Sequence, residues 1–177
     1  HASLAFAPLG VAPLAYNDRT NGNLRLAVQL PIDAWSVQTV RAVDDVGAHA
    51  SLAFDPAGTA HIAYYDRTNG DLMLASEGEA GTWNVQTVDD ANDVGSYASL
   101  AFDVTGVAHV SYYDATEGDL KHAMLARGTP WAIEVVDAAG DVGAYSSLQV
   151  DAEGNAHVGY YDSTNTNLKY ALIAAAP

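Results

Sequence analysis

The sequence predicts an all-β propeller built from four 48-residue, four-stranded blades, the last lacking its outer strand. Three observations predict it. Written in rows of 48, the chain opens HASLAFAPLG, HASLAFDPAG, YASLAFDVTG and YSSLQVDAEG at His1, His49, Tyr97 and Tyr145, with no gap needed. Leu4, Leu52, Leu100 and Leu148 share a column, as do Asp18, Asp66, Asp114 and Asp162, and Trp35, Trp83 and Trp131 fall on the same period. Each unit also divides into four short runs of β-formers separated by Gly-bearing turns, the pattern of propeller blades.

In the second unit, SLAFD (residues 51–55) reads as strand a, PAGT as a turn, AHIAYYD (60–66) as strand b and RTNG as a second turn. LMLAS (72–76) follows as strand c, then a loose EGEAGT, then WNVQTV (83–88) with the β-branched alternation of strand d. No stretch has helical apolar spacing with caps over the length a helix needs. Small and apolar residues occupy both faces of these strands, as expected when each sheet is buried between neighbours.

One repeat domain is expected over residues 1–177, with blades at 1–48, 49–96, 97–144 and an incomplete 145–177. Strand a is placed nearest the axis. The opening on a repeat boundary and on His1 suggests a fragment or processed form. The unfinished fourth blade suggests an open edge that pairs with a second copy or a larger assembly.

Acidic residues number 22 against 7 basic ones, a formal net charge of −15. Such a chain repels phosphate backbones and anionic lipid, which disfavours nucleic acid and membrane surfaces as partners. No apolar run is long enough to span a bilayer, and the absence of cysteine shows only that no disulfide is used. Propeller connectivity puts the b-to-c turns and the d-to-a links on one rim. Most of the acids, Asp45, Asp66, Asp93, Asp114, Asp141 and Asp162 among them, fall in those segments, so that rim is expected to be strongly negative.

The turn YYDRTNGDL, with its relatives YYDATEGDL and YYDSTNTNL, carries the candidate site residues. Its Asp, Thr and Asn-Gly suit turn capping and a positive-φ hairpin. The same side chains supply oxygens of the kind calcium prefers, which makes Asp66, Asp71, Asp114 and Asp119 weak calcium candidates, although the spacing of a calcium loop is absent. The recurrent aromatics either pack between blades or offer sugars a stacking platform beside polar groups. On the second reading the ligand-binding candidates are Tyr65, Asp66, Asn69, Tyr113, Asp114, Tyr161, Asp162 and Asn165. The recurrent DVG segments hold Asp45, Asp93 and Asp141, read as ties for the interblade link. His61, His109 and His157, one per blade, are too dispersed for a shared zinc site and read as packed structural histidines. No catalytic fingerprint occurs, and acids repeated by blade single out no reaction centre.

With DxxGxAH at Asp55–His61, Asp103–His109 and Asp151–His157 preceding the YYD element, the chain resembles repeats of bacterial secreted and cell-surface proteins that read roughly HISYYD-TNGDLKYA. The resemblance covers the whole chain and implies an extracytoplasmic propeller of the broad sialidase and lectin-like group, one without a uniform activity. SEGEAGTW (Ser76–Trp83) partly resembles the Asp-box of sialidases, keeping Ser76, Thr82 and Trp83 but with Gly78 and Ala80 where the motif has Asp and Gly. The arginine triad of a sialidase finds no matching columns. The leading expectation is an extracellular multivalent module, lectin-like, binding glycan. The alternatives are a structural subunit that contacts protein surfaces or itself and, third, a glycoside hydrolase.

Overall fold

The computed structural model describes residues 2–8, 10–31 and 34–175. These form four antiparallel sheets in chain order, arranged as propeller-like blades. Blade one holds β1 (Ala2–Leu4), β2 (Leu14–Asp18), β3 (Asn23–Gln29) and β4 (Trp35–Arg41). Blade two holds β5 (Val46–Phe54), β6 (Ala60–Asp66), β7 (Asp71–Glu77) and β8 (Trp83–Asp89). Blade three holds β9 (Val94–Phe102), β10 (Ala108–Asp114), β11 (Asp119–Leu125) and β12 (Ala132–Asp137). Blade four holds β13 (Val142–Val150), β14 (Ala156–Asp162) and β15 (Asn167–Ile173). Every strand pairs with its chain neighbour, a simple meander. The loose EGEAGT segment contains one 3₁₀ turn, Glu79–Gly81.

The first strands β1, β5, β9 and β13 lie against one another in sequence, which places strand a on the inner side of the arc. The sequence started strand a at Ser51, yet β5 begins at Val46, and β9 and β13 begin at the equivalent Val94 and Val142. The Val-Gly of each DVG segment is therefore strand, for a steric reason. Gly95 has φ +104°, and a Cβ there would lie 2.8 Å from Leu72 Cα, so only glycine lets the entering strand press this closely on the preceding blade.

The links also lock neighbouring blades together. Val46 N donates to Gly22 O in blade one, while Asp45 O accepts from Arg67 N and Asp45 N donates to Thr68 Oγ1 in blade two. The same three bonds recur at Asp93 and Val94 and at Asp141 and Val142. This stitching brings the b-to-c turns and d-to-a links onto one rim, where most of the acids collect.

Apolar cores lie between consecutive blades. One joins Leu24, Leu26 and Val40 of blade one to Leu52, Ile62 and Tyr64 of blade two, with Trp83 packed on its margin. The next joins Leu72, Leu74 and Val88 to Leu100, Val110 and Tyr112, with Trp131 on its margin. A third joins Leu120 to Leu148, Val158 and Tyr160. The apolar residues on both strand faces of blades two and three are explained by this arrangement, since each of these blades is sandwiched between neighbours.

A buried tyrosine column shows how one substitution changes such an interface. Tyr112 OH donates to Asp89 Oδ2 at 2.6 Å, and Lys121 Nζ donates to the same oxygen at 2.6 Å and lies 3.7 Å from Asp114 Oδ2. In the preceding interface Arg41 stands in the Asp89 column and Met73 in the Lys121 column, and the buried Tyr64 hydroxyl finds no partner among the described residues. Burial pushes Tyr64 up to about 12. Tyr64→Phe is expected to leave stability unchanged or raise it by up to about 1 kcal/mol, because an unpaired buried hydroxyl is removed. Tyr112→Phe is expected to lower stability by about 1 to 2 kcal/mol, because a charge-assisted bond is lost. Urea titration of both variants checks the contrast.

Candidate functional site

The turn residues singled out in the sequence cap their own hairpins. Asp66 Oδ1 accepts from Thr68 N and Asn69 N, and its Oδ2 accepts from Asn69 Nδ2. Asp114 accepts from Thr116 N and Glu117 N, and Asp162 from Asn165 N and Nδ2. All three carboxylates are buried. Asp71 and Asp119 pair across the strand ends with Asp66 and Asp114. Burial, then the neighbouring carboxylates Asp66, Asp90 and Asp89, raises the Asp71 carboxyl, and burial and Asp114 do the same to Asp119. Among the described residues no group of three or more His, Asp or Glu is placed to hold a metal ion.

Tyr65, Tyr113 and Tyr161 point elsewhere. They precede the capping aspartates, so strand alternation sends them to the opposite face, beside a defect that recurs in the inner strands. In β5 the partners step from Ala48↔Tyr65 to Ser51↔Ala63, three residues against two. That is a β-bulge, and β9 and β13 repeat it. At its centre His49, Tyr97 and Tyr145 have φ of 52°, 56° and 56°. The left-handed region costs an L-residue about 1 to 2 kcal/mol, and glycine is the usual occupant of such a bulge. Aromatic residues hold the position here.

The bulges aim these rings into a continuous row. His49 and Tyr97 lie 4.5 Å apart between centroids, and Tyr97 and Tyr145 lie 4.4 Å apart. Tyr65, Tyr113 and Tyr161 flank the row at 6.3, 6.2 and 6.4 Å from His49, Tyr97 and Tyr145. A shallow cavity of about 270 Å³ opens over it, floored also by Ala2, Ala50, Ala98 and Ser146. Tyr145 is 67% exposed. Tyr65 OH donates to Asp93 Oδ1 at 2.6 Å and Tyr113 OH to Asp141 Oδ1 at 2.8 Å. The link aspartates thus border the row while fixing its flanking tyrosines.

Burial and these aspartates push Tyr65 and Tyr113 up to about 12, while the neighbouring Tyr145 hydroxyl, then burial, raises Tyr97. Burial, then Arg67, depresses His49 to about 4. His49 and Tyr97 are therefore uncharged over the physiological range, with the carboxylates of Asp93 and Asp141 at the margin of the row. The site brings Tyr65, Tyr113 and Tyr161 together but turns Asp66, Asn69, Asp114, Asp162 and Asn165 to capping. His49, Tyr97 and Tyr145 were not singled out from sequence. Their signal was an aromatic residue at a fixed distance after each DVG, read there only as the start of a repeat.

A larger cleft, about 700 Å³, lies between blades two and three and is lined by His61, Ser76, Gln86, Phe102 and Arg127 among others. His61 Nδ1 lies 2.8 Å from Ser76 Oγ, its Nε2 lies 3.5 Å from Asp55 Oδ2, and its ring lies 4.7 Å from Phe102. In the next interface His109 Nδ1 meets His122 Nε2 at 3.2 Å, and His122 Nδ1 meets Glu134 Oε1 at 3.0 Å. His157 meets Tyr170 OH and Asp151. Each of the three repeated histidines is thus engaged within its own blade.

His109 and His122 form one relay if His109 Nδ1–H donates to His122 Nε2 and His122 Nδ1–H donates to Glu134. Burial, then His122, depresses His109 to about 4, and burial also lowers His122. Between pH 6.5 and about 4 the unfolded chain therefore binds a proton at His109 that the folded chain refuses, so stability falls as pH drops through that window. His109→Gln is expected to flatten this part of a stability-versus-pH curve measured by denaturant titration.

The four meandering antiparallel sheets give the chain a propeller-like all-β fold. Among solved structures, it is similar to a protein of unknown function from Dyadobacter fermentans, with a TM-score of 0.71, 15% identity and coverage of 96% of this chain and 51% of that one. The Hadza microbial sialidase Hz136 matches with a TM-score of 0.69 and 13% identity over 97% of this chain and 43% of that one. The SapL1 lectin, in complex with alpha methyl fucoside, matches with a TM-score of 0.64 and 12% identity over 99% of this chain and 64% of that one. The chain spans about half the length of the Dyadobacter protein and less than half of the sialidase. At these identities the likeness concerns the fold. No family model matches the chain, and no curated protein matches its sequence. Among the described residues no helix is long and apolar enough to cross a membrane.

Proposed function

We propose that this chain is a carbohydrate-binding, lectin-like propeller module that works outside the cytoplasm, and that its ligand lies on the aromatic row of His49, Tyr97 and Tyr145. One observation carries the reading: three successive inner strands hold a non-glycine aromatic residue at positive φ in the same bulge. Strain repeated at one position calls for a function that uses it. The row offers flat apolar rings for the CH face of a sugar, and Asp93 and Asp141 stand at its edge to accept hydroxyl hydrogens. The fucoside-bound lectin among the structural neighbours supports a sugar ligand.

The acid-rich rim adds a preference. Carboxylates beside the row repel anionic sugars, so neutral glycans fit better than sialylated ones. Asp93 and Asp141 occupy equivalent positions, each engaged by a tyrosine, and neither is set apart as acid or nucleophile. Binding without turnover follows, with repeated platforms that favour multivalent ligands. Calcium from the turn aspartates is a secondary element of the proposal, and so is the finer kinship with the HISYYD-TNGDLKYA type of surface repeat.

A glycan array probed with the fluorescently labelled chain, with and without calcium, tests the reading. Neutral glycans are expected to give signal, stronger at high display density, and sialylated glycans weaker signal. Absence of signal under both conditions would reject it, and signal lost on Arg127→Ala but kept on Tyr97→Ala would move the site to the interblade cleft.

A further inference from the structure

The Asp–His pair of the DxxGxAH element recurs in blades two, three and four, yet the residue set against the histidine differs from blade to blade. Asp55 Oδ1 accepts from Thr59 N and so caps its turn, while Oδ2 lies 3.5 Å from His61 Nε2. Asp151 treats Asn155 N and His157 Nε2 in the same way. Against the other ring nitrogen, Nδ1, blade three places His122 and blade four Tyr170. Blade two places Ser76, whose Oγ lies 2.8 Å from His61 Nδ1. Ser76 and His61 are direct partners across β6 and β7, and the Ser76 column holds Val28, Met124 and Leu172 in the other units. A hydroxyl, an imidazole and a carboxylate are thus aligned in one blade of the repeat.

This alignment opens on the cleft of about 700 Å³ between blades two and three, a volume suited to a small organic ligand. Ser76 is half-buried on the cleft wall. Leu74, Phe102 and Leu125 make part of that wall apolar, and the Phe102 ring packs 4.7 Å from the imidazole. Gln86 and Arg127, both exposed, bring N–H donors to the same cleft. Burial, outweighing Asp55, lowers His61 below its ordinary value, so the imidazole is neutral at neutral pH. Burial raises Asp55, but Thr59 N and His61 outweigh it and the carboxyl stays ionised. That carboxylate selects the tautomer protonated at Nε2 and leaves Nδ1 to accept from the Ser76 hydroxyl. A hydroxyl bonded to a neutral base, itself oriented by a carboxylate, is the arrangement an activated nucleophile requires.

We propose that Ser76, His61 and Asp55 form a second site, which hydrolyses small carboxylic esters whose apolar group lies against Phe102. Ser76 Oγ attacks the ester carbonyl carbon and His61 Nδ1 takes the hydroxyl proton. The carbonyl π electrons move to oxygen, where Gln86 and Arg127 stabilise the charge. As that oxygen returns its electron pair, the C–O bond to the alcohol breaks and the imidazolium protonates the leaving alkoxide. Water then attacks the acyl-Ser76 and passes one proton to His61. The bond to Ser76 Oγ breaks, His61 returns the proton to that oxygen, and the carboxylic acid leaves. Asp55 acts through His61 and is a positioning residue. The cleft lies apart from the aromatic row, so the proposal does not rest on the sugar reading.

An alkyl fluorophosphonate, whose fluoride leaves as a serine Oγ–P bond forms, and p-nitrophenyl acetate test it on the 177-residue chain. The expected results are one phosphonylated residue, Ser76 by peptide mass mapping, and steady release of p-nitrophenol. Ser76→Ala is expected to abolish both, and His61→Gln to slow both about a hundredfold or more. Asp55→Asn keeps an oxygen for the turn and is expected to lower kcat for the ester with KM unchanged. His157→Gln removes the corresponding histidine of blade four and is expected to keep both reactions at the wild-type rate, with circular dichroism reading the fold of every variant. A wild-type chain that releases p-nitrophenol no faster than folded Ser76→Ala overturns the proposal. So does a label on another residue, or one that forms at the full rate in His61→Gln.

Discussion

Lys121→Met is expected to lower unfolding free energy by about 3 kcal/mol or more, the cost of removing one partner from a buried ion pair. Lys121 is buried with its ammonium on Asp89 and near Asp114, both also buried, and Tyr112 OH completes the set. Burial raises the Asp89 carboxyl, yet the hydrogen bonds from Lys121, Tyr112 and Ala91 N outweigh it and hold the group below its ordinary value. Its contribution is present above the unfolded-state value and is lost as pH falls through the lower folded one. Without Lys121 two carboxylates remain in the interface with no cation. In the next interface Lys169 pairs with Asp137, but it is about one-third exposed, so Lys169→Met is expected to cost clearly less. Urea titration of the two variants measures the difference, and equal losses would show that burial is not the cause.

Tyr97→Ala is expected to weaken sugar binding about tenfold, since one aromatic contact contributes about 1.5 kcal/mol. Tyr97 is the middle ring of the row, against both His49 and Tyr145. Replacement does not relieve the positive φ, which penalises alanine as well, so the variant separates the ring from the backbone strain. Tyr97→Gly is expected to lose binding to the same degree while gaining stability, because glycine adopts the left-handed region freely. Calorimetric titration with a glycan identified on the array, beside thermal melts of both variants, checks the pair. Retained affinity in both would remove the row from the site.

Much of the fold was legible because the repeat aligned turns and strands without gaps. The second strand of blade two, residues 60–66, lies where the pattern put it. The start of the first strand was not legible. Val46 and Gly47 read as part of the interblade link held by Asp45, whereas this glycine is needed for contact with Leu24. Of the candidate residues, the tyrosines were visible as a column. Their separation from Asp66, Asp114 and Asp162 depends on strand alternation and on which group the turn amides claim. His49, Tyr97 and Tyr145 stayed hidden because a bulge is a property of two strands in register, and one strand's sequence shows no extra residue.

Side-chain NMR reads out whether a sugar sits on the aromatic row of His49, Tyr97 and Tyr145. In a chain with ¹³C-labelled tyrosine and phenylalanine, titration with an array-identified neutral glycan is expected to shift the ring signals of Tyr97 and Tyr145 and leave Phe102 in the interblade cleft unmoved. Shifts confined to Phe102, with the Tyr97 and Tyr145 signals unchanged at saturation, would take the sugar off the row and put it in the interblade cleft.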